Sequence, residues 1–447
     1  MPAVETLSVL IGGKHAADVS RSDGRSGLAY TAQYLASGGV PLSVGMPKTD
    51  GHYPLPRVST WMDGLLSDNP AVVRQQRLFF GAQGRSSFDL LATPMGLDCA
   101  GAVQFCPPDE LEKALDRGGG VERLEPRELA LLVSSLALAS STWQGSRTTG
   151  QFSLAGAQAK TALRFQDGEW GFPWGNEPTT HIIKPAISHL KDQALNEHIC
   201  MAAAGRIGLR AASTSITEIG GVQCLVITRY DRISQSDGTC RRVHQEDMCQ
   251  ALGIPPSKKY QSDGGPTPKD IGTIIRQRST TPDRDVQTFR DALIFNWVIA
   301  GTDAHAKNYS LILEGNAVAL APLYDIASWL PYQTDRGALP KTKLAMKTGS
   351  GYTLRKSDRK SAWQKTGEAL GLDGDETVAR AEHLASQVPE ALEAAANSIP
   401  SEFSGSEVVE VLLERTEARA RACARVSAAI GTPHSAPSIT PGQVPLA

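Results

Sequence analysis

The order of the apolar runs limits the possible folds of this chain most strongly. Between residues 141 and 232 these runs are brief and end at Gly, Asp or Pro, which is typical of β-strands. From residue 244 onward, beginning with residues 244–253, the runs are longer and have helical spacing. The last predicted helix starts after Ser406 as its N-cap and stops at Gly431. Strand-rich sequence followed by helix-rich sequence predicts a two-lobed α+β domain.

The residues before this domain mix strand and helix patterns. A predicted helix is interrupted at Asn69-Pro70, and a predicted strand ends at Pro107-Pro108. Between two further helices, Gly118–Gly120 indicates a break. We therefore divide the chain into four parts: a small subdomain at 1–110, a strand-rich lobe at 111–232, a helical lobe at 233–432 and a disordered tail at 433–447.

Composition excludes several classes of protein. The 45 Lys and Arg residues balance 47 Asp and Glu residues, so the chain lacks an overall basic charge that would bind nucleic acid by itself. Its seven cysteines are scattered without a C-x-x-C pair, which favours reduced thiols and argues against structural zinc. No signal peptide or membrane-length apolar stretch is recognisable. We expect a soluble cytoplasmic protein that does not contact membranes.

A loop of small residues at 150–161 precedes a predicted strand. Its backbone N–H groups could approach phosphate oxygens, and Lys160 could add a positive charge. The segment matches neither a Walker A loop nor the kinase G-x-G-x-x-G pattern, so a plain surface turn is an alternative. Ser153 lies between Phe152 and Leu154, where core packing is the competing interpretation.

Lys184 lies at the end of the apolar strand His181-Ile-Ile-Lys-Pro185. Burying such a lysine is costly unless an anion receives it, and kinases use a strand lysine to hold the α- and β-phosphates. Glu197, in the helix that follows, is a possible ion-pair partner. The alternative is an edge-strand lysine that extends its charge into solvent.

A polar cluster follows the apolar helix that ends at Gly301. Asp303 and Asn308 have the D-x-x-x-x-N spacing of a kinase catalytic loop, and Asp325 comes after a predicted hairpin. One carboxylate would accept a hydroxyl proton, while an amide and a second carboxylate would hold Mg²⁺. Lys307 could neutralise γ-phosphate charge. Metal binding through His305 and a hydrolase site are weaker alternatives, since a second His at ligand spacing and a G-x-S-x-G motif are absent.

These segments occur in the order found in kinases. The small-residue loop comes first, then the strand lysine, then the D-x-x-x-x-N loop and the late Asp. Thr228, Arg229 and Tyr230 end a strand just before the helical lobe, where a kinase hinge would bind adenine through backbone groups. The order therefore predicts an ATP- and Mg²⁺-dependent kinase.

The same segments make the chain resemble the HipA family of toxin kinases over nearly its whole length. They are FSLAGAQAKTAL, HIIKP, NEHICMAAAGRIGL, ITRYDR, HQEDMCQALG, GTDAHAKNYSLIL and LAPLYDIAS. The first part resembles the small N-terminal subdomain of that family through WMDGLLSDNPAVVR and FDLLATPMGLDCAGAVQF.

The resemblance implies a role for each site residue. Asp303 would be the catalytic base, and Asn308 and Asp325 would bind Mg²⁺. Ser153 would be autophosphorylated, which in that family expels the loop and switches the enzyme off; the modification adds about two negative charges near the ATP phosphates. The residues implied to bind nucleotide are Ala155, Gly156, Ala157, Gln158, Ala159, Lys160, Lys184, Thr228, Arg229, Tyr230, His305, Lys307, Asn308, Tyr324 and Asp325.

The resemblance also implies partners. The substrate would be an aminoacyl-tRNA synthetase, such as glutamyl-tRNA synthetase, whose phosphorylation arrests translation and growth and causes persistence. A HipB-type helix-turn-helix antitoxin would bind the toxin and operator DNA. Basic DNA-contacting residues of relatives align loosely with residues 368–371, so direct contact of this chain with DNA is not implied. The alternatives are a catalytically dead ATP-binding corepressor and a small-molecule kinase of similar fold.

Overall fold

The computed structural model describes residues 5–21, 26–116, 118–138, 152–187, 189–333 and 336–427. Residues 150 and 151 of the predicted loop, the predicted stop Gly431 and the predicted tail at 433–447 lie outside these ranges. Among the described residues, no helix is long and apolar enough to cross a membrane.

The first part of the chain forms an antiparallel five-stranded sheet with helices packed against it. The strands are β1 (Thr6–Ile11), β2 (Lys14–Ser20), β3 (Gly27–Tyr30), β4 (His52–Pro54) and β5 (Val103–Cys106), in the order β4-β3-β2-β1-β5. The helices are α1 (Ala32–Leu35), α2 (Leu55–Asp63), α3 (Pro70–Phe80), α4 (Ser87–Leu91) and α5 (Leu111–Leu115). Trp61, Phe88 and Phe105 fill the core between them. The predicted interruption is confirmed, because the Asn69 side chain caps α3 by accepting from the backbone N–H of Ala71 at 3.0 Å.

A six-stranded antiparallel sheet follows. Its strands are β6 (Gly119–Arg123), β7 (Thr161–Gln166), β8 (Glu169–Gly175), β9 (His181–Pro185), β10 (Thr214–Ile219) and β11 (Val222–Thr228), in the order β10-β11-β9-β7-β8-β6. Helices α6 (Pro126–Leu138) and α7 (Gln193–Arg206) belong to this part of the chain. Since β9 lies between β11 and β7, Lys184 belongs to an interior strand, and the edge-strand interpretation is wrong.

The predicted break between helices at 118–120 is confirmed, because α5 ends at Leu115 and α6 starts at Pro126, but the glycines also begin a strand that was not predicted. Gly119 and Gly120 begin β6, which pairs with β8 at the edge of the sheet. A Cβ atom on Gly119 would lie 2.6 Å from the carbonyl oxygen of Trp174. The glycine is therefore required by the close approach of β8, and a sequence pattern cannot distinguish this need from a turn.

The rest of the chain is largely helical, with short strand pairs inserted. The helices are α8 (Met248–Leu252), α9 (Pro268–Arg278), α10 (Pro282–Val298), α11 (Leu354–Ser357), α12 (Lys360–Ala369), α13 (Gly374–Ala396) and α14 (Glu407–Cys423). The strands are β12 (Arg232–Ser234), β13 (Cys240–Arg242), β14 (His244–Asp247), β15 (Ser310–Glu314), β16 (Ala317–Leu320), β17 (Lys343–Thr348) and β18 (Gly351–Thr353). Phe289, Phe295, Trp297 and Trp363 fill its core. The strand-rich part followed by a helical part confirms the predicted α+β class.

Two predicted helix boundaries are wrong in this part. His244–Asp247 forms strand β14, paired with β15, because the Asp247 side chain caps α8 and the helix can only start at Met248. The last helix has Ser406 as its N-cap, as predicted, but α14 ends at Cys423, before Gly431.

A buried carboxylate joins the first part of the chain to the helical part. Glu246 of β14 accepts hydrogen bonds from the backbone N–H of Val44 at 2.6 Å and from Nε1 of Trp61 at 2.9 Å. Burial raises the pKa of Glu246 to about 7, although these donors favour its charged form. The two parts are therefore held together by a polar contact that is sensitive to protonation.

Candidate active site

A cavity of about 670 Å³ is lined by residues from the six-stranded sheet, α7, the helical part and the segment after α2. This volume is typical of pockets that hold small ligands. All fifteen residues that the sequence assigns to nucleotide binding line the cavity, and so does Asp303. Ser153 does not line it, although it precedes the loop by two residues.

Lys184 connects three elements at one wall of the cavity. Its Nζ lies 2.8 Å from Oε1 of Glu197 in α7 and 2.5 Å from Oδ1 of Asp325. Burial alone would lower the pKa of Lys184, but the charges of Asp325 and Glu197 outweigh it and raise this pKa above its usual value. Burial also raises the pKa of Glu197, whereas the charge of Lys184 holds the pKa of Asp325 well below its usual range. The site therefore contains a charged lysine opposite an ionised Asp325.

Residues 301–308 form a compact loop after α10. The backbone N–H of Gly301 donates to the carbonyl of Asn296 at 2.6 Å, and a Cβ atom on Gly301 would lie 2.3 Å from Oδ1 of that residue. Nδ2 of Asn308 donates to the backbone carbonyl of Asp303 at 2.8 Å, which closes the D-x-x-x-x-N turn. The hydroxyl of Tyr260 donates to the carboxylate of Asp303. This geometry fixes Asp303 and Asn308 relative to each other.

Asn308 and Asp325 supply oxygen atoms that fit a hard cation. The amide nitrogen of Asn308 is used inside the loop, and no hydrogen bond from the described part of the chain reaches its Oδ1, which is therefore available to a cation. Asp325 has a φ of +59°, and its side chain is 40% exposed, so it is accessible from the cavity. Mg²⁺ is typically held by one or two such protein oxygens together with substrate phosphates. Over the described part of the chain, no group of three or more His, Cys, Asp and Glu side chains could hold a metal ion.

The loop Ala155–Lys160 is folded back on itself. Nζ of Lys160 donates to the carbonyl of Ala155 at 2.6 Å, while Gln158 donates to the carbonyl of Pro185 at 3.1 Å. Gly156 has a φ of +106°, a backbone conformation that residues other than glycine rarely adopt. Burial and the neighbouring charge of Lys184 lower the pKa of Lys160 to about 8. Among the described residues, no carboxylate forms an ion pair with Lys160 within 4.0 Å, so its ammonium is suited to an incoming anion.

Ser153 is buried at the contact with the first part of the chain. Its Oγ donates to the carbonyl of Leu65 at 2.9 Å, and its N–H donates to the carbonyl of Asp98 at 2.8 Å. Its side chain is inaccessible to solvent. The core-packing interpretation therefore describes this conformation, and the hydroxyl does not face the cavity.

The predicted hinge consists of residues with different surroundings. The N–H groups of Thr228 and Arg229 donate to the carbonyls of Ser213 and Thr180, so both are used by the fold. The guanidinium of Arg229 lies 2.8 Å from Asp231 and 3.4 Å from Asp98. Arg229 thus belongs to a buried ion cluster together with Arg232 and Arg242, and its charge is not directed at a ligand.

Two tyrosines complete this wall. The rings of Tyr230 and Tyr324 lie 6.0 Å apart, and the hydroxyl of Tyr324 donates to the carbonyl of Lys307 at 2.6 Å. Nδ1 of His305 is buried and has no hydrogen-bond partner among the described residues, and its ring contacts Tyr260 edge-on. An aromatic wall next to a polar loop suits a planar base beside its phosphates.

Sequence reasoning missed Asp68, Lys259 and Tyr260. Nζ of Lys307 lies 2.6 Å from Oδ1 of Asp68, and Nζ of Lys259 lies 2.8 Å from Oδ2 of the same carboxylate. Asp68 lies 191 residues before Lys259 and 239 before Lys307, and it matches no motif, so only the folded chain brings it beside these two lysines.

Comparison with known proteins identifies the family. The model of the HipA-like C-terminal domain matches residues 152–395, which is more than half of the chain, and the model of the HipA N-terminal domain matches residues 7–106. The chain belongs to the HipA family. The Sinorhizobium fredii protein Y4mE is 35% identical over 362 residues, which cover 78% of this chain and 81% of that protein.

Two further comparisons concern HipA of Shewanella oneidensis. This relative, named a serine/threonine-protein kinase toxin, is 29% identical over 323 residues, covering 67% of this chain and 69% of the relative. A solved structure of Shewanella oneidensis HipA, with HipB and operator DNA, superposes with a TM-score of 0.79 at 23% identity, covering 94% of this chain and 97% of that one. The HipA-family chain thus has the predicted kinase-like fold.

Proposed function

We propose that this chain is an ATP-dependent serine/threonine-protein kinase. The observation that carries the proposal is the contact of Lys184 with both Glu197 and Asp325, in the cavity that Asp303 and Asn308 also line. Phosphoryl transfer depends on such a lysine beside a metal-binding carboxylate and a base. The printed name of the Shewanella oneidensis relative, a serine/threonine-protein kinase toxin, supports the same activity.

Each group of residues has a task in this proposal. Asp303 would accept the proton of the substrate hydroxyl as the hydroxyl oxygen bonds to the γ-phosphorus of ATP, while the bond to the β,γ-bridging oxygen breaks and ADP leaves. Asn308 and Asp325 would hold Mg²⁺, which would supply positive charge against the phosphates. Lys184 and Lys160 would hold phosphate oxygens, since both are cations at the cavity wall. Tyr230 and Tyr324 would border the adenine.

Autophosphorylation of Ser153 would switch the enzyme off. Its hydroxyl is buried against Leu65, so the segment has to leave this position before a kinase site can reach it. A phosphate group has no room at a side chain with 0% exposure, and its charge would repel the phosphates of ATP. The modified loop would therefore stay displaced from the site.

The biological role is proposed from the relatives. The Shewanella oneidensis protein is named a toxin, and its solved structure contains HipB and operator DNA. We propose that this chain is likewise the toxin of a toxin-antitoxin pair, bound by a HipB-type helix-turn-helix antitoxin that carries it to operator DNA. Its substrate would be an aminoacyl-tRNA synthetase, such as glutamyl-tRNA synthetase, whose phosphorylation stops translation and growth.

Phosphoproteomics after induction tests this function against its alternatives. Wild-type chain should produce at least one dominant new phosphosite on a protein, and Asp303→Asn should produce none. Asp283→Asn is a matched control, because Asp283 is exposed in α10 and forms a surface ion pair with Arg276. A small-molecule kinase would raise no protein phosphosite, and an ATP-binding corepressor would give the same proteome with wild type and Asp303→Asn. Either of these two results would refute the proposal.

A further inference from the structure

Residues 65–68, which connect α2 to α3, touch both sides of the cavity. On one side the carbonyl of Leu65 accepts from Ser153, and the carbonyl of Gly156 accepts from Oγ of Ser67 at 3.0 Å and from the N–H of Asp68 at 3.3 Å. On the other side the carboxylate of Asp68 binds two lysines. Segment 65–68 is thus a direct link between the phosphate loop and the catalytic loop.

The carboxylate of Asp68 is the counterion of two ammonium groups. Oδ1 lies 2.6 Å from Nζ of Lys307, and Oδ2 lies 2.8 Å from Nζ of Lys259. Lys307 is buried, and a buried ammonium requires a paired charge. Although burial alone would raise the pKa of Asp68, the two lysines lower it below its usual range. Asp68 is therefore ionised at neutral pH.

The same contacts continue to Asp303. The carbonyl of Lys259 accepts from the N–H of Ala306 at 3.2 Å, and the next residue, Tyr260, donates its hydroxyl to Asp303. Lys307 itself immediately precedes Asn308. Asp68 is thus connected, through Lys259 and Tyr260 and through Lys307, to both ends of the D-x-x-x-x-N loop.

We propose that Asp68 is a positioning residue for phosphoryl transfer, through which the first part of the chain fixes Lys307 and Lys259 at the phosphate end of the cavity. This inference rests on the proposed kinase function. It implies that the N-terminal part of the chain is a component of the site, in addition to packing against the lobes.

Neutralising Asp68 should affect binding and turnover in opposite directions. Asp68→Asn keeps the backbone N–H that holds Gly156, removes the charge, and replaces one of the two acceptor oxygens with an NH₂ donor. Because the substitution removes a negative charge from a site that binds phosphates, ATP should bind about threefold more tightly. Lys307 loses the partner that orients it, so phosphate transfer at saturating ATP should be about tenfold slower. Simple structural damage would weaken binding and transfer together.

The experiment uses the full-length chain and three variants. The ATP dissociation constant is measured by calorimetry, transfer by labelled ATP, and melting temperature in parallel. Asp63→Asn is the matched control, because Asp63 is exposed at the end of α2, five residues before Asp68, and it should behave like wild type. Asp68→Glu retains the charge with one more methylene, and it should keep the wild-type ATP affinity but lose about threefold in transfer rate.

Unchanged transfer in Asp68→Asn would overturn the inference, and so would parallel losses of affinity, transfer and melting temperature. If Asp68→Asn does not fold, Asp68→Glu decides: a wild-type transfer rate would contradict the positioning role. If wild type itself transfers no phosphate, the proposed kinase function fails, and the ATP affinities of wild type and Asp68→Asn then test whether Asp68 acts on the bound phosphates. Tighter binding by Asp68→Asn would still support Asp68 as a charge at the phosphate end, whereas equal or weaker binding would overturn it.

Discussion

Raising the pH should weaken ATP binding through Lys160. In the protein without nucleotide, burial and the charge of Lys184 lower the pKa of Lys160 to about 8. Phosphate oxygens beside its ammonium would favour the charged form and return the pKa toward the ordinary value of about 10.4. Binding must therefore take up a proton when the solution is more alkaline than about pH 8.

The size of the effect follows from the two pKa values. At about pH 9.5, the neutral form of Lys160 exceeds the charged form about 30-fold in the free protein, whereas the charged form dominates in the complex. The ATP dissociation constant should therefore rise roughly 20-fold between about pH 7.5 and pH 9.5. Unfolding does not explain this loss, because a lysine with a lowered folded-state pKa contributes increasing stability as pH rises over this range.

Calorimetric titration with Mg·ATP across this pH range measures the effect. Lys160→Arg keeps a permanent charge and should bind ATP with little change from about pH 7.5 to pH 9.5. Lys160→Met should bind weakly at every pH. A wild-type ATP dissociation constant that does not change with pH would contradict this role of Lys160. The same holds if the dissociation constant of Lys160→Met rises with pH as steeply as that of wild type.

Three further predictions concern the site and its support. Lys184→Met should slow phosphate transfer in the labelled-ATP assay at least about 100-fold, since it removes the cation that contacts both Glu197 and Asp325. Lys191→Met, at an exposed ion pair, should transfer phosphate normally. Arg229→Met should lower the free energy of unfolding, measured in urea, by about 3–5 kcal/mol, because Asp231 and Asp98 lose a buried partner. Arg123→Met, at an exposed ion pair, should lower it by less than about 1 kcal/mol. Equal losses in the two variants would contradict a stabilising role of the buried ion cluster. Because burial raises the folded-state pKa of Glu246 to about 7, the contribution of Glu246 to stability should fall as pH rises from about 5 to 7. In Glu246→Gln the melting temperature should therefore depend less on pH over this range. An unaltered dependence of melting temperature on pH would contradict the raised pKa of Glu246.

The sequence predicted the elements whose signals are local. The Asn69-Pro70 start of α3 and the hairpin before Asp325 are readable because capping, turn chemistry and alternation act over a few residues. The pairing of Lys184 with Glu197 was also predicted, since a buried lysine has to find an anion.

Features that depend on distant parts of the chain were not predicted. Asp68 is a polar residue in a connection, and nothing near it in the sequence indicates Lys307 or Lys259. Arg229 was assigned to the nucleotide because of its position, but its charge is balanced by Asp98 from the first part of the chain. The break at Gly118–Gly120 was predicted, but the strand that Gly119 begins was not, because the need for glycine there becomes apparent only when β8 lies beside it. Local chemistry thus indicates candidate site residues, while their counterions depend on tertiary structure.

Incubation with labelled ATP tests most directly whether Asp303 serves a kinase site. Purified wild type, Asp303→Asn and the control Asp283→Asn are incubated with Mg·ATP, and both ATP affinity and phosphate transfer to protein are measured. We expect Asp303→Asn to bind ATP with nearly wild-type affinity and to transfer phosphate at least about 100-fold more slowly, while the control matches wild type. Absence of transfer by wild type, or equal transfer by Asp303→Asn, would contradict the account.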